Sequence, residues 1–136
     1  MSGRVLLVAP VRDFNFTYMG DNGVGACTVA SQIDASQWTE CVLEVNILSS
    51  DVAGTAKIEV QLVEDGYTPS QPDRPNLGDT IGTPLTIDAN TTNTFVSTTY
   101  TTGITSKVAV QVVGTQPATA VTCTATLEIR LTFKAS

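Results

Sequence analysis

Residues 121–134 alternate without a break. Val121, Cys123, Ala125, Leu127, Ile129, Leu131 and Phe133 are apolar; between them fall Thr122, Thr124, Thr126, Glu128, Arg130, Thr132 and Lys134. A period of two sends successive side chains to opposite sides of an extended strand, one side buried and one in water. A helix would mix both sets around its axis. A strand is therefore predicted within 118–134, and everything else in the chain has to supply a second layer for its apolar face.

The same alternation recurs. Cys41, Leu43, Val45 and Ile47 interleave with Glu44 and Asn46; Ile58, Val60 and Leu62 with Lys57, Glu59 and Gln61; Val108, Val110 and Val112 with Ala109 and Gln111; Phe14, Phe16 and Tyr18 with Asn15 and Thr17. One-sided burial of this kind belongs to antiparallel sheets. Weaker strands are predicted over 28–33, 83–87 and 95–100. Turn residues separate them: GDNGVG (20–25) supplies residues that tolerate positive φ, and SSDVAGTA, TTGITS and VGTQPAT are each read as a hairpin connection. ASQWTE (35–40) makes one turn at most. Eight or nine short strands of this pattern predict an all-β, single-domain antiparallel β-sandwich over 1–136, a jelly roll of about eight strands, with 1–12 as an N-terminal arm or edge strand. Leu43, Val45, Ile58, Val60, Val110, Leu127, Ile129 and Leu131 are expected to share its core. Phe14, Phe16, Phe95 and Phe133 join it, with Trp38 as a lid on one end.

Chemistry is sparse. The chain has no histidine, so the commonest general base is missing, and it contains no GxSxG elbow, P-loop or HExxH. Ser106–Lys107 and Glu64–Asp65 are adjacent pairs whose side chains diverge on a strand. No enzyme and no cofactor are expected. Seven basic residues against thirteen acidic give a net charge of −6, and the basic ones are scattered. No cluster can follow a phosphate backbone, which argues against direct nucleic-acid binding. No apolar run approaches the ~20 residues of a membrane span. The start, MSGRVLLVAPVRDF, lacks the longer apolar region of a secretory signal, so no signal peptide is expected and the run from Val5 to Ala9 is read as the first strand or an extended arm. Without a signal, Asn15-Phe16-Thr17 and Asn90-Thr91-Thr92 are chance sequons.

Cys27, Cys41 and Cys123 are odd in number and form no CxxC pair, so they are read as buried thiols rather than a disulfide framework or zinc site. Their spacing leaves open whether Cys41 and Cys123 face each other. GDNG and the acids Asp65, Asp73 and Asp79 carry oxygen ligands without the EF-hand spacing; they are read as turn and loop chemistry, and no metal is assigned.

The segment DGYTPSQPDRPNLGD (65–79) is expected to be irregular throughout. Pro69, Pro72 and Pro75 stiffen it, Arg74 sits beside Asp73, and Tyr67 is the best candidate for an exposed aromatic. It is expected to contact a neighbouring protein chain, with Tyr67, Pro69, Pro72, Arg74 and Pro75 as interface candidates and Tyr67 as anchor. Residues 90–105, NTTNTFVSTTYTTGIT, are hydroxyl-rich and nearly uncharged, a poor barrier to edge pairing; Tyr100 is the candidate there.

The stretches RDFNFTYMGDNG, QIDASQWTECVLEVNILS, GTAKIEVQLVEDG and TATLEIRLTF together resemble the small jelly-roll structural proteins of tailed bacteriophage particles, the capsid decoration and minor virion proteins. The resemblance covers most of the chain through pattern and composition, and no single residue is carried over from it. It implies a virion component assembled in the host cytoplasm, displayed in many copies, often as trimers, on a shell built by a major capsid or other shell protein. The alternative reading is a carbohydrate-binding sandwich module of an adhesive or receptor-binding assembly.

Overall fold

The computed structural model describes residues 3–17, 23–66, 76–87, 91–101, 107–116 and 122–134. Eight strands follow in order: β1 (Gly3–Asn15), β2 (Gly23–Asp34), β3 (Glu40–Val52), β4 (Lys57–Gly66), β5 (Asn76–Ile87), β6 (Thr92–Tyr100), β7 (Lys107–Gln116) and β8 (Cys123–Lys134). They form two four-stranded sheets, β1-β8-β3-β6 (sheet A) and β2-β7-β4-β5 (sheet B), and every pairing is antiparallel. The two orders facing each other make a jelly roll.

The core lies between the sheets and is the apolar half of each alternation. From sheet A come Cys41, Leu43, Val45 and Ile47 with Leu127, Ile129, Leu131 and Phe133; from sheet B come Ile58, Val60, Leu62, Val108, Val110 and Val112, all fully buried. All eight expected core residues are therefore in one cluster. Burial at ~25 cal/mol per Å² of apolar surface is what holds two such faces together.

The hairpin expectation is corrected in three places. SSDVAGTA, TTGITS and VGTQPAT join β3 to β4, β6 to β7 and β7 to β8, and in each case the strands belong to different sheets. Six of the seven connections cross between sheets; only β4 and β5 are neighbours in both sequence and sheet. Turn residues reverse a chain equally well within a sheet or between two. Strands also run longer than expected: β2 begins at Gly23 and so takes in the end of GDNGVG, and β7 extends into VGTQPAT.

Aromatic rings close the two ends. Phe16 follows β1, donates its N–H to the Cys123 carbonyl at 2.8 Å, and lays its ring where a side chain on Gly114 of β7 would stand. At the other end, half-buried Trp38 stacks on Phe133 with centroids 6.2 Å apart, and the turn beneath it is held by Trp38 N–H to Ala35 O at 3.1 Å. Asp34 supports that turn by accepting from the Ser36 N–H and hydroxyl, which together hold its carboxyl below the usual range. Cys123 pairs with Val52 near one end of sheet A and Cys41 with Phe133 near the other. Ten residues of strand separate these positions, roughly 33 Å at 3.3 Å each, so the two thiols do not face each other.

Candidate interaction surface

Of the sequence-predicted interface residues, Tyr67, Pro69, Pro72, Arg74 and Pro75 lie outside the described residues. The flanks of their segment are not irregular, as had been expected, but strand. Asp65 and Gly66 end β4, Asn76 begins β5, and Asp65 pairs with Leu77 and Gly66 with Asn76. Asp65 is also buried, at 3 % exposure, rather than part of a solvated loop. Its carboxylate accepts the backbone N–H of Gln32. Gln32 stands at φ 54° where β2 slips register against β7, and the carboxylate takes its N–H there.

Tyr100 is inside the chain. It is 5 % exposed, its hydroxyl donates to the Thr83 carbonyl at 2.9 Å, and its ring packs over Gly82, where β5 turns through φ 65°. The residue ties the edge of sheet A to the edge of sheet B. Burial pushes its hydroxyl up to about 12.

What the sequence did not reveal is where apolar surface stays uncovered. Among the described residues the exposed large hydrophobics are Val5, Leu7, Val11 and Phe95. All four belong to β1 and β6, the two edge strands of sheet A. Val5 and Leu7 pair with Thr132 and Arg130, and Phe95 with Asn46, so these three share the outer, hydrophilic side of the sheet. Phe95 was expected in the core; pairing of Val96 with Val45 puts Val96 inward and turns Phe95 out. For Val5 and Leu7 the only signal was that the apolar run 5–9 does not alternate.

The four edge strands differ in regularity. β2 slips register twice and contains Gln32 at positive φ; β5 slips twice and contains Gly82 and Pro84. β1 is regular from 3 to 7, then slips twice around Pro10. β6 has Asn93 at φ 48° near its start, but from 94 to 100 it pairs with β3 without a slip and contains no proline or charged residue. Bulges, prolines and charges are the usual means of preventing edge pairing, and residues 3–7 and 94–100 are without them apart from Arg4.

The outer side of sheet A also carries a shallow cleft of about 360 Å³ between the ends of β1, β8 and β3. Two rows of polar side chains line it, Asp13–Thr126–Ser49 and Asn15–Thr124–Asp51. Thr126 donates to Asp13 at 2.7 Å. Among the described residues no group of three or more potential metal ligands occurs. Asp79 is exposed on β5 whereas Asp65 is buried, and Asp73 lies outside the described residues.

Two of the three thiols, Cys41 and Cys123, are buried and chemically quiet. Burial pushes Cys41 up to about 12 and also raises Cys123. Cys27, half-buried on β2, accepts from the Arg12 guanidinium at 3.2 Å; the same guanidinium lies 5.0 Å over the Phe14 ring, so Arg12 pins β1 to β2 across the sandwich edge.

This combination, a complete jelly roll with uncovered apolar edges, defines a class of β-sandwich rather than a chemistry. No protein-family model matches the chain, and no curated protein matches it in sequence. Solved structures do match. A structure of the infectious bursal disease virus Gx strain aligns at TM-score 0.56 and 12 % identity, covering 97 % of this chain and 31 % of the viral one. The VP2 subviral particle of the same virus aligns at TM-score 0.56 and 11 % identity, covering 98 % and 33 %. A chain of the Bacillus endospore appendages, described as disulfide-linked pili, superposes more loosely, at TM-score 0.36 and 10 % identity over 100 % and 93 %. This chain spans about a third of the length of the viral chains it matches. The shared property is the fold: the jelly-roll likeness read from the sequence is met in a viral particle protein.

Proposed function

We propose that this chain is a non-catalytic structural subunit of a protein particle, a virion component of the capsid-decoration or minor-capsid kind. The observation that carries this reading is the concentration of exposed Val5, Leu7, Val11 and Phe95 on the two edges of one sheet. An isolated sandwich gains nothing from uncovered edges, whereas a subunit in a repeating assembly uses them. The fold shared with the VP2 subviral particle supports it. The mechanism is mechanical: the subunit adds small contacts to a shell, and many copies sum them. The shell partner is a major capsid or other shell protein, and the virion is the location that follows. Co-sedimentation of the purified chain with candidate shells is the test. Saturable binding with a fixed copy number and a raised shell melting temperature supports the proposal; no binding to any shell removes it.

A second reading has one specific observation in its favour, the polar cleft lined by Asp13, Asn15, Ser49, Asp51, Thr124 and Thr126, whose groups suit sugar hydroxyls. Among the described residues no exposed flat ring stands beside it, since Phe14 is buried and Trp38 is stacked on Phe133. A glycan array separates it from the first reading.

A further inference from the structure

We infer that copies of this chain associate head to tail, residues 3–7 of β1 on one copy adding as a strand beside residues 94–100 of β6 on the next. The inference rests on the reading of the chain as an assembly subunit and names the contact it would use.

Direction comes first. Neighbours in sheet A alternate, so β1 and β6, at its opposite edges, run opposite ways. A second copy placed beside the first in the same orientation sets its β1 antiparallel to β6, and the sheet continues without a change of pattern. Regularity comes second. Stretches 3–7 and 94–100 are the parts of the sheet A edges that keep register and lie clear of Pro10 and of Asn93 at φ 48°, while the edges of sheet B are each slipped twice and carry Gln32 and Gly82 at positive φ within the strand. Strand addition needs an unbroken row of N–H and C=O groups, and among the described residues no strand pairs on the outer side of either stretch.

Charge and apolar surface choose the partner. Arg4 and Arg12 place two of the seven basic residues on β1, in a chain of net charge −6. β6 is uncharged and adjoins β5, whose exposed Asp79 is acidic. Pairing residues 3–7 with their own copy about Val5 sets Arg4 opposite Leu6 and makes the two Arg4 side chains diagonal neighbours, a like-charge pair. Pairing β6 with its own copy leaves Val5 and Leu7 uncovered. The head-to-tail contact avoids the first and brings Val5, Leu7 and Phe95 to one seam on one side of the sheet.

The scale fits a reversible contact. Five paired residues run ~17 Å, and two layers with their side chains are ~20 Å thick, giving ~340 Å² per copy. About 1,200 Å² in total is the lower limit for a stable interface, so association is expected to depend on concentration. Such a contact does not close on itself in a pair; it generates rings or rows.

The test uses the full chain with Leu7→Lys and Phe95→Lys, both at exposed positions, with circular dichroism as the control for folding. Sedimentation equilibrium of the wild type is expected to show mass rising with concentration. Each variant alone is expected to weaken association about tenfold or more, the effect of spoiling a central apolar contact. An equimolar mixture is expected to form one-to-one pairs and stop, because each variant keeps one sound edge. Hydrogen exchange at 3–7 and 94–100 is expected to slow as wild-type concentration rises. A wild type that stays monomeric, a mixture that does not pair, or an effect of Phe95→Lys without one of Leu7→Lys overturns the contact. A monomer that still binds a shell overturns this inference and leaves the proposed function standing.

Discussion

The ring of Tyr100 rests on the α-carbon of Gly82: a side chain added at Gly82 would come within 2.6 Å of it, and the backbone there has φ 65°. Gly82→Ala therefore meets both a clash and a strained conformation and is expected to cost about 1–3 kcal/mol. Tyr100→Phe keeps the ring and loses the hydroxyl bond to Thr83, for about 1 kcal/mol. Urea unfolding of the two variants measures the difference; equal and negligible effects would mean that the edges of the two sheets are not joined here.

Leu127 and Ile129 are fully buried at the centre of β8. Truncation of either to Ala is expected to cost about 2–5 kcal/mol, read from the urea midpoint at unchanged slope.

Asp65 and Gln32 act as a pair. Asp65→Ala leaves the Gln32 N–H without its carboxylate and is expected to lose about 1–3 kcal/mol. Gln32→Gly relieves a side chain at φ 54° and is expected to gain up to about 1 kcal/mol. Thermal melts that rank the variants in the opposite order would remove this account of the bulge.

The thiols give a pH prediction. Cys41 keeps its proton in the folded chain up to about 12, whereas an unfolded thiol loses it near 9.0. Above pH 9 the unfolded state binds fewer protons, so stability falls as pH rises through the window from about 9 to about 12. The contribution is fully present below pH 9. Buried Tyr100 adds to the same slope, from 10.0 to about 12. Cys41→Ala is expected to flatten the alkaline loss measured by denaturant titration. At neutral pH, a thiol reagent is expected to label Cys27 in the native chain and Cys41 and Cys123 only after unfolding.

Alternation made much of this legible in advance. The inward faces of β3, β4, β7 and β8 follow from side-chain period alone, because each buries one side against the facing sheet. Connectivity did not follow, since Gly, Asp and Ser at 49–56 signal a reversal without saying which sheet receives the next strand. The placing of Phe95 depended on a register that only its partner β3 sets. The burial of Asp65 depended on a bulge in β2, 33 residues away in sequence. The expected interface centred on Tyr67 lies outside the described residues, and the uncovered edges became visible only once the strand order was known. An apolar run such as 5–9 reads the same in a central strand and at an edge.

The strand order also sets a timetable. Among the described residues β1 pairs only with β8, so an early strand waits for a much later one before it has its partner. At ~5–20 residues per second, a chain of this length takes about 7–27 s to make. Throughout that interval the apolar residues of β1 have no native strand to lie beside. Ladders this distant in sequence close slowly, in milliseconds to seconds once the chain is complete. A circular permutant that opens the chain elsewhere and joins the old ends would make β1 and β8 consecutive, and its refolding is expected to be faster than that of the natural order.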